Sequence, residues 1–297
     1  MINTSTTRHG SRGVSLFVVL IHLLLCAPPV LAQQEASGDS TATVEPPTNW
    51  WLRNAATYAP IDRLLWHIEG NYALSLQRGN VEGSAHNGSL RSWLRMGKGT
   101  LAVVGGLDYQ ELSLADGVSE ISTRRYRAGA TWDYALSGKI APEVGLFIEH
   151  DDAAFIETRQ IGYVGVRIIP FSNDRVTATL LPAFGYQHEE AILTGEKRSF
   201  VSPYVEESIS WQVLERLRFE QSGNVLFSLE QPETWRAILT AGFAVPVVDF
   251  LSITLNYELR YNNNPIPTDE ALRQVTGGVG AISRDDHDLT AGIRLQY

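Results

Sequence analysis

The chain ends in HDLTAGIRLQY, residues 287–297. Every second residue is apolar, and the residues between them are polar or glycine; the apolar positions are Leu289, Ala291, Ile293, Leu295 and Tyr297. A two-residue period is typical of a β-strand that lies between two unlike environments. The alternation continues to the last residue, so that residue belongs to the predicted strand. This tail favours a closed barrel, with a soluble β-sandwich as the alternative.

The same alternation recurs upstream, most clearly in residues 250–262. Strands of 11 to 15 residues, about twice the ordinary length, are expected. Strand boundaries predicted from sequence are accurate to about two to four residues. The twelve predicted strands are residues 65–78, 84–96, 100–111, 121–135, 140–150, 158–169, 175–188, 198–212, 217–228, 234–245, 250–262 and 286–297. The second, sixth and ninth alternate poorly. An even number is typical of a single-chain bacterial outer-membrane barrel with both termini in the periplasm.

The lengths of the predicted connections support a membrane barrel independently. Connections after even-numbered strands are short, whereas residues 112–120, 189–197 and 263–284 form longer ones after odd-numbered strands. Short periplasmic turns and longer extracellular loops are typical of outer-membrane barrels. A soluble β-sandwich would give no reason for short connections after even-numbered strands and long ones after odd-numbered strands. The sequence therefore predicts an all-β, transmembrane antiparallel barrel of about twelve strands.

Aromatic residues are expected at both ends of this barrel. One group lies near the short turns: Trp66, Trp93, Trp132, Tyr134, Trp211 and Tyr297. A second group lies near the long loops: Tyr109, Tyr126, Tyr186, Trp235 and Tyr261. Two rings of Trp and Tyr around an apolar band match the two interfaces of a bilayer. The alternative is that these residues form the core of a soluble sheet.

The N-terminus has the pattern of a secretory signal peptide over residues 1–32. Basic Arg8 and Arg12 precede an apolar run at residues 14–27, and cleavage is predicted between Ala32 and Gln33. A lipoprotein site at Cys26 is disfavoured because bulky Leu25 precedes it. Residues 33–64 are predicted to be a disordered periplasmic leader, and residues 65–297 the barrel.

Cleavage would leave 22 basic and 33 acidic residues, a formal charge of −11, and no cysteine. An acidic chain argues against nucleic acid as a partner. An exported chain without disulfides depends on a large core or a closed hydrogen-bonded ladder. No later segment has the roughly 18 consecutive apolar residues of a membrane helix.

Charged residues on the polar side of the strands are expected to line the lumen, because they are costly in lipid. These are Glu69, Arg125, Arg127, Asp133, Glu143, Glu149, Glu206, Glu220, Glu258, Arg260 and Arg294. The two signs are mixed, so a small channel with charged walls and a closed plug of ion pairs are both consistent with the pattern. Glycines in the strands favour the open lumen if they leave space unfilled; they are Gly105, Gly106, Gly129, Gly145 and Gly242.

No catalytic residue, cofactor or metal site is predicted. His150 and His188 lie beside acidic residues, but the sequence places no serine next to either. The acidic clusters do not have the spacing of an EF-hand loop. Contact of these clusters with lipopolysaccharide phosphates through divalent ions is an alternative use.

Three stretches resemble a known family. They are RGNVEGSA at residues 78–85, the block from FEQSGNV to RYNNNP at residues 219–265, and DDHDLTAGIRLQY at residues 285–297. Together they resemble the YdiY-like family, labelled salt-induced outer-membrane proteins and also called domain of unknown function 481. The resemblance runs from about Ile68 to Tyr297. The sequence departs from the family pattern by a longer stretch before the last strand, at residues 266–284.

The resemblance implies an outer-membrane barrel without established catalytic residues. It also implies that the aromatic last residue, Tyr297, serves as a signal read by the barrel-assembly machinery. The expected partners are this machinery, outer-membrane lipid and lipopolysaccharide. The expected role is a small passive channel or an envelope-maintenance protein linked to salt stress. The alternatives are a lipid-modifying enzyme and a surface-binding protein that uses the last long loop.

Overall fold

The computed structural model describes residues 61–77, 81–114, 120–266 and 285–297. The predicted signal peptide, the cleavage site at Ala32 and Gln33, and the leader up to residue 60 lie outside these ranges. The described strands are β1 (Ile61–Gln77), β2 (Val81–Gly97), β3 (Gly99–Leu114), β4 (Glu120–Tyr134), β5 (Ile140–Asp151), β6 (Ile156–Ser172), β7 (Val176–Ala191), β8 (Lys197–Leu214), β9 (Leu217–Phe227), β10 (Trp235–Val248), β11 (Leu251–Asn262) and β12 (Asp285–Gln296).

The twelve strands form one closed antiparallel barrel, in which each strand pairs with its neighbours in sequence. β12 returns to β1 and closes the ring, with Glu69–Tyr72 in register with Ile293–Gln296. Tyr297 extends this seam: its N–H donates to the Ile68 carbonyl at 2.9 Å, and its carbonyl accepts from the Ile68 N–H at 3.0 Å. The predicted strand number and fold class are confirmed, including the three strands that alternate poorly.

Most connections are shorter than the sequence suggested, except those between β4 and β5 and between β9 and β10, which are slightly longer. Those after even-numbered strands contain one to five residues, and those after odd-numbered strands contain three to seven, except for 22 residues between β11 and β12. The expected loop at residues 189–197 shrinks to residues 192–196, because β7 and β8 continue further than their apolar alternation does. β1 begins at Ile61, four residues before the predicted boundary. We call the two ends of the barrel the short-turn end and the long-loop end.

The two faces of the wall differ as a membrane-spanning barrel requires. On β11, Ile253 and Leu255 are exposed on the outer face, while Ser252 and Thr254 are buried on the inner face. Outward leucine, valine, isoleucine and phenylalanine side chains are exposed on every side of the barrel. Lipid removes such apolar surface from water, at roughly 25 cal/mol per Å². In the described ranges, no helix is long and apolar enough to span a membrane.

Aromatic residues ring the outer face at both ends. Trp66, Trp132 and Trp211 are about half exposed near the short turns, and Tyr126 and Tyr186 are similarly exposed toward the long loops. One assignment to these rings is wrong. Trp93 lines the inner cavity of the barrel, and its ring lies 5.6 Å from that of buried His67. Trp93 faces inward because it pairs with His67, whose side chain points into the lumen.

The inward glycines do not leave space unfilled, contrary to the expectation from sequence. Each lies opposite a larger side chain on a neighbouring strand that folds over it: Arg127 over Gly106, Phe147 over Gly129, Tyr163 over Gly145, and Asn256 over Gly242. A Cβ at Gly106 would lie 2.6 Å from Arg127 Nε. Gly105 has open space, but it faces outward. Because these glycines lack a Cβ, the side chains on the neighbouring strands can lie flat against the wall.

One acidic side chain departs from the rule that charges face the lumen. Glu207 has the same parity on β8 as outward-facing Val201 and Trp211, yet it is only 5% exposed. Its Oε1 accepts a hydrogen bond from Gln221 Nε2 at 2.7 Å, over the gap left by Gly223. Its Oε2 is buried without a hydrogen bond among the described residues. A carboxyl group is thus buried on the outer face.

Candidate functional site in the lumen

The lumen is crossed by a cluster of charged side chains in the half of the barrel near the long loops. We call this cluster the bridging layer; its members are Arg125, Glu149, Asp151, Arg159, Arg236, Glu258, Arg260 and Asp286. They come from β4 to β6 and from β10 to β12, two arcs on opposite sides of the ring that together make up half of its strands. Alternation within each strand turns these side chains inward.

The contacts of the layer run across the lumen. Arg260 on β11 lies 3.8 Å from both Glu149 and Asp151 on β5, which is six strands away in a ring of twelve. Arg125 on β4 donates to Asp286 on β12 at 3.0 Å. Opposite walls are thus close enough for long side chains to meet. The bridging layer therefore spans the lumen at this level.

Short hydrogen bonds fix the layer to the β5–β8 wall. Arg159 donates to Glu189 at 2.6 Å and to Glu149 at 2.9 Å. Arg198 donates to the other oxygen of Glu189 at 2.7 Å. Arg159 and Glu189 are almost fully buried. Buried charges are tolerated when they are paired and hydrogen-bonded in this way.

A second buried ion pair lies closer to the short-turn end. Arg167 makes two hydrogen bonds to Glu143, of 2.6 and 2.8 Å, and one of 3.1 Å to Glu206. Tyr163 donates to Glu143 at 2.8 Å, and Tyr204 donates to Glu206 at 2.6 Å. The rings of Tyr163 and Tyr204 stack at 4.8 Å. This wall of the lumen is therefore densely packed.

Between these features lies a cavity of about 580 Å³, which we call the inner cavity. Its opposite wall carries short polar side chains from β1, β2 and β8 to β12, including Ser89, Ser210, Ser222, Asn224 and Thr240. A smaller space of about 70 Å³ lies beyond the layer, next to Tyr261 and Pro265. Both spaces are lined by Glu149, Arg159, Arg236 and Arg260, so the bridging layer separates them.

The structure brings the sequence-predicted lumen residues into distinct groups. Arg125, Glu149, Glu258 and Arg260 belong to the bridging layer, and Arg127 lies 3.6 Å from Glu258 at its edge. Glu143 and Glu206 share Arg167. Arg294 holds Glu220 through two hydrogen bonds of 3.0 and 2.8 Å. Glu69 lies 3.3 Å from His67, and Asp133 is fully buried near the short turns.

Several lumen residues were missed from sequence. They are Arg91, Asp108, Asp151, Arg159, Arg167, Glu189, Arg236, Asp286 and Asp288. Arg91, Arg159 and Arg167 lie on β2 and β6, where alternation is poor because Trp93, Ile161 and Tyr163 also face inward. In a paired sheet, residues in register face the same side. Extending the inward positions of the clearly alternating strands to their neighbours, two residues at a time, would have identified these lumen residues.

The outer face near the long loops carries a serine beside a histidine. Ser199 Oγ lies 2.7 Å from His188 Nδ1, a pair that the sequence did not indicate because the two residues lie on different strands. His150 contacts Asp152 at 2.8 Å, and Arg124 donates to the same carboxylate at 3.0 Å. Partial burial raises the pKa of Asp152, but these two hydrogen bonds outweigh it and hold that pKa below its ordinary value. Within the described ranges no group of three or more His, Cys, Asp or Glu is arranged to hold a metal ion.

The fold and the site define a transmembrane β-barrel with an internally charged lumen. Residues 71–275 match the family described as "Protein of unknown function, DUF481". The chain belongs to this family, as the sequence resemblance indicated. The comparison with curated proteins gives no match.

Several solved porins are similar to this chain. The NanC porin is 9% identical, with a TM-score of 0.42, over 78% of this chain and 98% of that one. The KdgM porin is 8% identical, with a TM-score of 0.37, over 78% and 99%. An anion-selective porin from Comamonas acidovorans is 11% identical, with a TM-score of 0.36, over 79% and 99%. Similarity at this level is too low to indicate a shared function.

Proposed function

We propose that this protein is an outer-membrane channel for small polar solutes, closed toward the cell exterior by the bridging layer. The observation that carries the proposal is the inner cavity of about 580 Å³ that ends at ion pairs between opposite walls. A barrel that served only as a plug would have little reason to keep a polar cavity of this size. The sequence pattern of residues 1–32 supports export, and the apolar outer face supports contact with outer-membrane lipid and lipopolysaccharide.

Arg260 is the residue best placed to control passage. It contacts Glu149 and Asp151 across the lumen, and also Glu258 on its own strand. Glu149 keeps Arg159 at 2.9 Å and Arg236 at 3.7 Å when Arg260 is removed. Loss of Arg260 therefore removes the contacts between β11 and β5 without leaving Glu149 unpaired.

Single-channel recording of the refolded protein in planar bilayers tests the proposal. Arg260→Ser is expected to raise the single-channel conductance several-fold over the wild type. Arg175→Ser, at an exposed short turn, is the matched control and is expected to leave the conductance unchanged. An absence of conductance in both the wild type and Arg260→Ser, with normal folding of each, would overturn the channel.

A second candidate function is lipid hydrolysis on the outer face, favoured by the Ser199 and His188 pair. A serine hydrogen-bonded to a histidine is the first half of a nucleophilic site. In the described ranges, the other ring nitrogen of His188 has no hydrogen-bond partner, and an orienting third group is therefore not identified. A fluorophosphonate probe tests this directly: labelling that disappears in Ser199→Ala supports the enzyme, and an unlabelled wild type excludes it.

A further inference from the structure

Arg91 differs from the other arginines of the lumen. It points inward from β2 into the inner cavity, where water reaches it. Within the part of the chain that the structure describes, its guanidinium has no ion pair and no hydrogen bond. A guanidinium presents five N–H donors in a rigid plane. Arg91 therefore offers unused donors to whatever occupies the cavity.

The carboxylates closest to Arg91 in the barrel are held by other partners. Glu69 is directly opposite Arg91 in the β1–β2 register, but its Oε1 lies 3.3 Å from His67 Nε2 and it is almost fully buried. Glu220 accepts two hydrogen bonds from Arg294. Among the described residues, no carboxylate therefore lies within ion-pair distance of Arg91.

The surroundings of Arg91 add positive charge and neutral polar groups. Arg127 folds over Gly106, which is in register with Ser89 on the same strand as Arg91. Arg127 is 39% exposed, and its nearest carboxylate oxygen, on Glu258, is 3.6 Å away. Asn71 donates to Ser89 at 3.2 Å beside it. A second guanidinium and small polar groups therefore line the same part of the cavity.

The charge balance of the cavity restricts the ligand. Its walls carry seven carboxylates and seven guanidiniums, so their formal charges cancel and the walls as a whole do not offset a large net charge on a solute. Asp288 lines the cavity and also has no ion pair among the described residues, and its charge opposes a second anionic group on a solute. The cavity thus matches a solute with one negative charge better than a dianion.

We infer that Arg91, supported by Arg127, is a binding site for the carboxylate of a small organic monoanion within the inner cavity. A planar guanidinium matches a carboxylate through two parallel hydrogen bonds. A volume of about 580 Å³ leaves room for the rest of a small solute. If the barrel is a channel, this site identifies small organic monoanions as its class of solute. The physiological role of the site therefore rests on the proposed function.

Binding can be measured without conductance. Saturation-transfer NMR on the detergent-refolded barrel, with sodium lactate as the probe, is expected to detect binding that lactamide, its neutral isostere, does not show. Arg91→Gln is expected to weaken lactate binding about 10-fold, because it removes the charge-assisted hydrogen bonds to the carboxylate. Arg175→Gln is the control and is expected to bind as the wild type does. Arg91→Lys, which keeps the charge but not the planar fork, is expected to give an intermediate affinity.

The outcomes separate the two proposals. Lactate binding with no conductance in the wild type or Arg260→Ser overturns the channel and leaves the carboxylate site standing. Equal lactate binding by the wild type and folded Arg91→Gln, or equal binding of lactate and lactamide, overturns the site whether or not the barrel conducts. Tighter binding of inorganic phosphate than of lactate overturns the assignment to a monocarboxylate.

Discussion

Removal of the Arg167 side chain tests whether the β5–β8 wall of the lumen is dry. In the folded protein Arg167 is 4% exposed and Glu143 is fully buried, and two hydrogen bonds join them. Arg167→Met keeps most of the side-chain volume but leaves Glu143 without its cation. Breaking a buried pair in this way costs about 3–5 kcal/mol of folding free energy.

The double variant Arg167→Met with Glu143→Gln separates lost charge pairing from lost packing. The amide oxygen of the new glutamine would still accept the hydrogen bond that Tyr163 donates to Glu143 at 2.8 Å. No buried carboxylate is then left unpaired at this position, so the double variant is expected to be about 2 kcal/mol more stable than Arg167→Met alone. Glu206 keeps the hydrogen bond from Tyr204 in both variants.

Urea unfolding of the barrel in lipid vesicles, followed by tryptophan fluorescence, gives the required free energies. Lys197→Met is the matched control: it breaks the exposed pair with Glu190, at 3.2 Å, and is expected to cost less than about 1 kcal/mol. A cost for Arg167→Met no greater than that of the control would refute a dry wall. Failure of Glu143→Gln to recover stability would refute the role of the unpaired carboxylate.

Four further outcomes are expected. Leu255→Arg puts a charge into lipid and should lower folding stability by about 2–4 kcal/mol, whereas Ser222→Arg, in the cavity wall, should cost much less; equal refolding yields would show the wrong face. Deletion of Tyr297 removes two backbone hydrogen bonds at the β1–β12 seam and should lower the amount of folded barrel in the outer membrane without reducing export, as cell fractionation would reveal. Glu207→Leu removes an outward carboxyl whose buried Oε2 has no hydrogen bond among the described residues, and it should raise stability by about 1–2 kcal/mol in vesicles; a loss of stability would contradict this account of the buried oxygen. Arg127→Ser removes a guanidinium that is partly exposed in the lumen; it should shift the reversal potential toward cations while the free energy of unfolding stays within about 0.5 kcal/mol of the wild type.

Alternation predicted the barrel because it records the difference between lipid and lumen at each position. β12 was placed within one residue of Asp285–Gln296 by this pattern alone. Glu207 and Trp93 break the pattern for local reasons. Glu207 is covered by neighbours over Gly223, and Trp93 packs against His67 inside the lumen.

The pairing inside the lumen could not be predicted in the same way. Which arginine meets which carboxylate depends on how close opposite walls come, and that distance is not a property of any single strand. The contact of Arg260 with Glu149 joins strands that are half the circumference apart. The effect of glycine depends likewise on the next strand: Gly129 carries no side chain, but Phe147 fills its place.

The glycines beneath those rings have a mechanical consequence. On β4 to β6, Phe147 and Tyr163 lie flat over Gly129 and Gly145, so neighbouring strands there are locked against sliding. The opposite wall carries short serine, threonine and asparagine side chains that face open space and resist shear less. Lateral pressure from the bilayer would therefore flatten the barrel by bending its polar wall inward, while the aromatic wall keeps its curvature. The barrel would then have one stiff side, formed by the aromatic wall, and one more deformable side, formed by the polar wall.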